Sequence, residues 1–194
     1  MQSETGRTSY ARKTKDEPTM KIYEFSDWIE SSGGPLVAIE KHLAPLWGGT
    51  NGRPSDFDLA CNTVNYIELV STRNVTALVI GDEPLRTLVA HSDDHTLIVR
   101  WKWATSEQSA LKEIQNIRFP STYEEHLDII LPSGALTIFD SATHYSETEA
   151  ISLKIHPGKN TIQTFTYSPN SETSLLIHKI SKPSGNLRAV KSNQ

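Results

Sequence analysis

Residues 75–103, VTALVIGDEPLRTLVAHSDDHTLIVRWKW, constrain the fold more than any other stretch of the chain. The segment reads as apolar strands joined by two acidic turns. In its last run Leu97, Val99, Trp101 and Trp103 fall on one face at period two, and Thr96, Ile98, Arg100 and Lys102 fall on the other. The turns carry Asp82 and Glu83, then Asp93 and Asp94. A stiff sheet with carboxylates on its loops is suited to gripping a basic partner.

The same punctuation runs through the rest of the chain. Strands are expected near 35–40, 64–71, 75–81, 85–91 and 96–103, and again near 126–131, 135–140, 150–156, 161–167 and 174–180. Turns at 157–160 and 168–172 predict two hairpins in the second set. The main helix is expected over 105–117, where Ala110, Leu111, Ile114 and Ile117 share a face and Thr105 with Gln108 makes a capping box. Short helices are expected at 24–30 and 56–61. Segments recur in the same order: SGGPLVAI with PSGALTIF, NYIELV with AISLKI, RNVTALVIGDEP with KNTIQTFTYSP, and HTLIVRW with TSLLIHK. Such an internal repeat implies two similar β layers sharing a core. The expected class is α+β and β-dominated, with two packed, mainly antiparallel sheets and one main helix. Residues 20–181 are expected to form one domain, with halves 20–104 and 120–181 joined by the helix. Residues 1–19, almost free of aliphatics, read as a disordered extension, with Met20 an alternative start, and 182–194 as a basic flexible tail.

Charge narrows the partners. The formal net charge of −4 divides into +1 over residues 1–20, +3 over 182–194 and −8 over the body between them. An acidic body repels nucleic acid and attracts cationic proteins. The basic residues are not interleaved with aromatics as in a stacking platform, so neither nucleic acid nor a membrane is an expected partner. No run approaches the ~18 consecutive apolar residues of a membrane span, and no apolar signal segment opens the sequence. One cysteine, Cys61, excludes an internal disulfide and fits a reducing compartment. The expected location is the cytoplasm.

Residues for chemistry are sparse. His91 and His95 flank Asp93 and Asp94, a set able to supply Zn or Mn ligands. Their spacing, however, predicts a hairpin tip where side chains diverge. Cys61, in DFDLAC, reads as a small buried hydrophobe. No nucleophile elbow, P-loop, dinucleotide fingerprint or zinc-protease motif occurs. The glycines of SSGG and LWGG lack the lysine and helix start that hold phosphate, and read as close backbone approaches beside an indole. Trp28, Trp47, Trp101 and Trp103 read as core or rim anchors. No catalytic residue, metal or cofactor is expected. The competing reading is a metal-dependent enzyme or ligand-binding sandwich built on His91 and His95.

The series DWIESSGGPLVAI, LWGG, DFDLAC, VIGDEP and LIVRWKWA resembles the immunity protein 21 family of bacterial polymorphic-toxin systems. FDSATHY, LKIHPGKNTIQTFTY and TSLLIHKI are similar to the C-terminal part of that family, and this part also resembles the competence-nuclease inhibitor fold. The likeness runs from about Met20 to Ile180. One departure is Lys159-Asn160, where the pattern has an aromatic after the glycine-led turn. The resemblance implies a non-enzymatic antitoxin that neutralises a cognate toxin domain inside the producing cell, and it carries no binding residues with it. Charge and loop position instead nominate Asp82, Glu83, Asp93 and Asp94 as contacts to a basic toxin, a nuclease with a basic substrate cleft being one class that fits.

Overall fold

In a computed structural model of the chain, residues 23–81 and 83–183 are described. The 1–19 extension, Met20, Asp82 and residues 184–194 of the basic tail lie outside the described residues. Among the described residues eleven strands form two antiparallel sheets. The strands are β1 (Glu24–Phe25), β2 (Leu36–Glu40), β3 (Ile67–Ser71), β4 (Thr76–Ile80), β5 (Thr87–His91), β6 (Thr96–Ala104), β7 (Glu125–Leu131), β8 (Ala135–Asp140), β9 (Ile151–Lys154), β10 (Gly158–Asn170) and β11 (Thr173–Ser181). The six-stranded sheet A has the order β1-β5-β6-β11-β10-β7, and the five-stranded sheet B the order β3-β4-β2-β8-β9. The expected β-dominated α+β fold with two packed antiparallel sheets is the observed one. Of the helices, α1 is Asp56–Cys61 and α2 is Glu107–Gln115.

Alternation along the strands sends one set of side chains between the sheets and another outward. The inner core gathers Leu36, Ala38, Leu78 and Ile80 from sheet B with Val89, Ile98, Ile162 and Ile180 from sheet A. Both outer faces are also covered. On sheet A, Leu88, Leu97, Val99 and Ile177 meet Ala110 and Ile114 of α2. On sheet B, Val37, Val79 and Phe139 meet Trp47 and Ala60. Burial on both faces explains why LIV in β6 and ALVI in β4 are continuous apolar runs. A full burial of each such side chain contributes about 1.5–3 kcal/mol, before ordering costs.

Several local expectations change. Residues 24–30 are not helical: Glu24 and Phe25 pair with His91 and Ala90 as an edge strand, and Ile29 bridges to Thr87. The apolar residues there serve a sheet edge, which a helical reading of the spacing could not reveal. The main helix is shorter than 105–117, and its N-cap is Ser106, whose hydroxyl accepts from Ser109 N at 3.1 Å, in place of the Thr105–Gln108 box. Trp101 and Trp103 do not share a face. A register shift between the pairs Leu175↔Trp101 and Ser174↔Trp103 leaves Lys102 as an extra residue, and the alternation slips. Trp101 packs in the outer core, whereas Trp103 is 52% exposed. Only 168–172 closes a hairpin; 155–157 carries the chain from β9 in sheet B to β10 in sheet A.

The repeat maps onto the topology in part. β2 and β8 pair at the centre of sheet B, β3 and β9 form its two edges, and β6 and β11 pair at the centre of sheet A. The match of RNVTALVIGDEP to KNTIQTFTYSP fails, because β4 lies in sheet B and β10 in sheet A. Strands from both halves of the chain pair within both sheets.

Candidate functional site

The two acidic loops, alike in sequence, differ in construction. Residues 92–95 close the β5–β6 hairpin, while 81–86 cross from β4 in sheet B to β5 in sheet A. They lie at opposite ends of the five-residue β5, which separates them by about 17 Å at roughly 3.3 Å per residue. The structure therefore does not unite the nominated carboxylates: Asp93 and Asp94 are exposed together at the hairpin end, and Glu83 is exposed at the crossing end.

The hairpin tip is held from beneath. Ser92 donates from N and from Oγ to His95 O, at 3.1 and 3.0 Å. His95 is buried, its ring edge-on to Tyr23 and Phe119, and its Nε2 is hydrogen-bonded to the Tyr23 hydroxyl at 2.6 Å. Tyr23 exchanges backbone hydrogen bonds with the Gln115 side chain of α2, both at 3.0 Å. A chain of contacts thus runs from the hairpin to the helix. Burial, with the charge of Asp94 second, pushes the Tyr23 phenol up to about 12. His91 turns elsewhere, its Nδ1 2.9 Å from Thr96 Oγ1. The two histidines do not converge, and among the described residues no three His, Cys, Asp or Glu side chains gather as a metal would require. Beside the tip lies a small cavity of about 130 Å³ lined by Asp93 and Asp94 together with Lys154, His156 and Lys182.

The crossing loop is held by a buried cation. Arg100, 1% exposed on the inner phase of β6, donates from Nη1 to Gly81 O and from Nη2 to Glu83 O. Gly81 is itself cramped: a Cβ there would stand 2.5 Å from Asn65 O. Gly81 N donates to Tyr66 O, and the carboxylate of Glu125, from β7, accepts from Tyr66 N and Ile67 N at 3.0 and 3.2 Å. A cation thus satisfies carbonyls and an anion satisfies amides around the same end of sheet B, clasping it to sheet A. Arg86, at the end of this loop, lies over both the Trp28 and the Trp101 ring, 5.4 and 5.8 Å from their centroids, and meets Glu30 and Glu107, each at 2.7 Å.

Cys61 is exposed, contrary to the buried reading, because α1 turns it away from the Ala60 side that packs on sheet B. Desolvation, then the charge of Asp58, raises its thiol pKa, which opposes a thiolate nucleophile.

The motifs SSGG, LWGG, DFDLAC and FDSATHY, distant in sequence, meet at one corner of sheet B. Ser32 N donates to Asp140 Oδ2 at 2.7 Å, Ser141 Oγ to Pro35 O at 2.6 Å, and the Trp47 indole to Ser141 O at 2.8 Å. Gly49, at φ +57°, lies so close to Ala142 O and Thr143 that a Cβ would meet them at 2.9–3.0 Å. The reading of these glycines as close approaches beside an indole therefore holds for LWGG. Short motifs scattered along the chain turn out to be one packed unit, a relation that spacing alone does not carry.

The described residues thus form a two-sheet sandwich that bears exposed loops. Residues 27–173 match Immunity protein 21, and with most of the chain covered it belongs to the immunity protein 21 family. Its role is accordingly that of an immunity protein in a toxin system. No curated protein and no solved structure matches the chain, so the likeness of its C-terminal part to the competence-nuclease inhibitor receives no support from known structures. No helix among the described residues is long and apolar enough to cross a membrane.

Proposed function

We propose that the protein neutralises a cognate bacterial polymorphic-toxin domain by occlusion, without chemistry of its own, and that Asp93 and Asp94 are its leading charged contacts. The observation that carries this reading is the hairpin tip: two exposed carboxylates on a turn tied by Ser92 and anchored through His95 and Tyr23 to α2. Charges held in one geometry lose little freedom on binding, and they accelerate capture of a basic partner. A nuclease domain, whose cleft must attract phosphate, is a partner class with the required charge. Neither nucleic acid nor a cofactor is part of this reading, and the site of action is the cytoplasm of the producing cell. Glu83, with Asp82 beside it in sequence, is a second, separate candidate, which reaches the same toxin only if the interface spans the length of β5.

The test uses the cognate toxin domain. Association is followed at low and high salt for Asp93→Lys with Asp94→Lys, and separately for Asp82→Lys with Glu83→Lys. The first pair is expected to slow association at least tenfold at low salt and to lose most of the salt dependence. An unchanged rate for both pairs would remove the acidic loops from the interface.

A further inference from the structure

The edge strands β3 and β7, one from each sheet, meet along one flank of the sandwich. Glu125 of β7 ties them at one end, through the amides of Tyr66 and Ile67. Beyond this tie they leave a cleft of about 720 Å³, floored by Ala38, Leu78 and Leu136 of the inner core. Leu69, 38% exposed, and Ile130, 72% exposed, line it as well. The bonds from Thr72 N to Val75 O and from Gly81 N to Tyr66 O fix the parity of the β3–β4 ladder, so Leu69 turns its N–H and C=O away from β4. Glu40, at the end of β2, lines the same cleft with a side chain only 10% exposed. Its Oε1 accepts from Ser133 N and Oγ at 2.7 and 2.8 Å. The ion-pair partner of its Oε2 among the described residues is His42 Nδ1, at 4.0 Å and on an exposed ring. The other charged groups lining the cleft are Arg73, exposed on the β3–β4 turn, and Asp128, held by Lys159 and Thr161.

We propose that this cleft takes a basic side chain, lysine or arginine, of the cognate toxin domain, with its aliphatic stem on Leu78 and Leu136 and its cationic head at Glu40 Oε2. The inference rests on the occlusion reading and adds an anchor to it. A carboxylate so far out of water is costly to keep unless a cation meets it. The Ser133 donors fix Glu40 in advance and leave its other oxygen for a ligand. An apolar wall beneath a fixed anion selects a cation carried on an alkyl stem, because a small hydrated ion gains nothing from the leucines. The backbone pair of Leu69 offers main-chain partners too, which favours a polypeptide over a free amine. The cleft also shares its end of sheet A with the acidic hairpin. The row Thr96–Ile180–Ile162–Leu127 crosses the sheet and sets β7 three strands, about 14 Å, from β6. An interface of ordinary size, roughly 800 Å² per partner, covers both. Asp93 and Asp94 then speed capture, and Glu40 slows release.

The test is Glu40→Gln in the full-length chain, which keeps an oxygen for Ser133 and removes the charge. Against the cognate toxin domain, dissociation is expected to be at least tenfold faster with a nearly unchanged association rate, while the urea midpoint of the free chain does not fall. An unchanged dissociation rate overturns the cleft contact; if Asp93→Lys with Asp94→Lys still slows association, occlusion stands without it. Absence of any complex with the wild-type chain overturns both. A markedly lower urea midpoint makes Glu40 a brace for the Ser133 turn and overturns the proposal as well. If Glu40→Gln does not fold, Leu69→Lys decides: it sets a rival cation in the cleft and is expected to weaken toxin binding, and unchanged affinity overturns the proposal. Two other occupants are read from the free chain. A urea midpoint lowered by Arg73→Ala places Arg73 in the cleft, and self-association abolished by Glu40→Gln places a second copy there; either result overturns the assignment to the toxin.

Discussion

The hairpin at 92–95 and the crossing at 81–86 have nearly the same description in sequence: two adjacent acids between apolar runs. Their supports are opposite. The hairpin is held by a serine, an aromatic-packed histidine and a tyrosine. The crossing is held by a buried arginine on backbone carbonyls. A hairpin satisfies most of its own backbone through the ladder it closes, so its tip needs little help. A strand that leaves one sheet for another abandons its ladder, and its last carbonyls need a donor from elsewhere. Arg100 is that donor. Asp93 and Asp94 thus stand on local bonds, and Glu83 on a desolvated charge.

Breaking the supports should separate the two regions sharply. Arg100→Leu strips the donors from Gly81 O and Glu83 O inside the sandwich. It is expected to cost about 3 kcal/mol or more, seen as a lower urea midpoint, with exchange protection lost first at 81–86. Tyr23→Phe removes only the hydroxyl bond to His95 and is expected to cost about 1 kcal/mol, with the change confined to the hairpin and the end of α2. The phenol also gives the hairpin support an alkaline limit. Its pKa is raised from the ordinary 10 to about 12, so the fold favours the protonated form. That stability is complete below pH ~10 and is lost as pH rises through about 12, an order the phenolate absorbance and the urea midpoint can follow together. An ordinary Tyr23 titration near 10 would show that the hairpin support is looser than described.

How much of this was legible in the sequence follows from the range of the forces involved. The strands near 35–40, 96–103 and 135–140, and the helix around Ala110 and Ile114, were readable because alternation and helical spacing are properties of adjacent residues. The sheet to which each strand belongs was not. Nothing in GDEP or in HPGK says that the chain changes sheet, since both have the composition of a hairpin turn. Arg100 read as one member of an alternating strand face; only the fold reveals that its guanidinium is turned inward to Gly81 and Glu83. Asp93 and Asp94 stand exposed together on the hairpin, and their contact with a toxin stays a proposal. Joining them to Glu83 as one patch fails, because a single strand sets the two at opposite ends of the sheet. Cys61 and residues 24–30 went astray for a related reason: a short apolar segment does not state whether a helix face or a sheet edge will use it.

The smallest expected effect is the one that bears most directly on partner binding. Asp93→Lys with Asp94→Lys alters exposed side chains for which no fold-holding hydrogen bond is seen, and should shift stability by no more than about 0.5 kcal/mol. Its sign is informative. Lys154 and Lys182 border the same cavity as the two acids, so reversal brings like charges together and should be slightly destabilising, more so at low salt. Glu83→Lys has a buried cation, Arg100, on its own backbone, and should also be slightly unfavourable despite its exposure. If either reversal costs several kcal/mol, the acids concerned are part of the scaffold and not free to be spent on a partner. If both are nearly silent in stability while only the hairpin reversal slows toxin capture, the two loops are distinguished by function as they already are by construction.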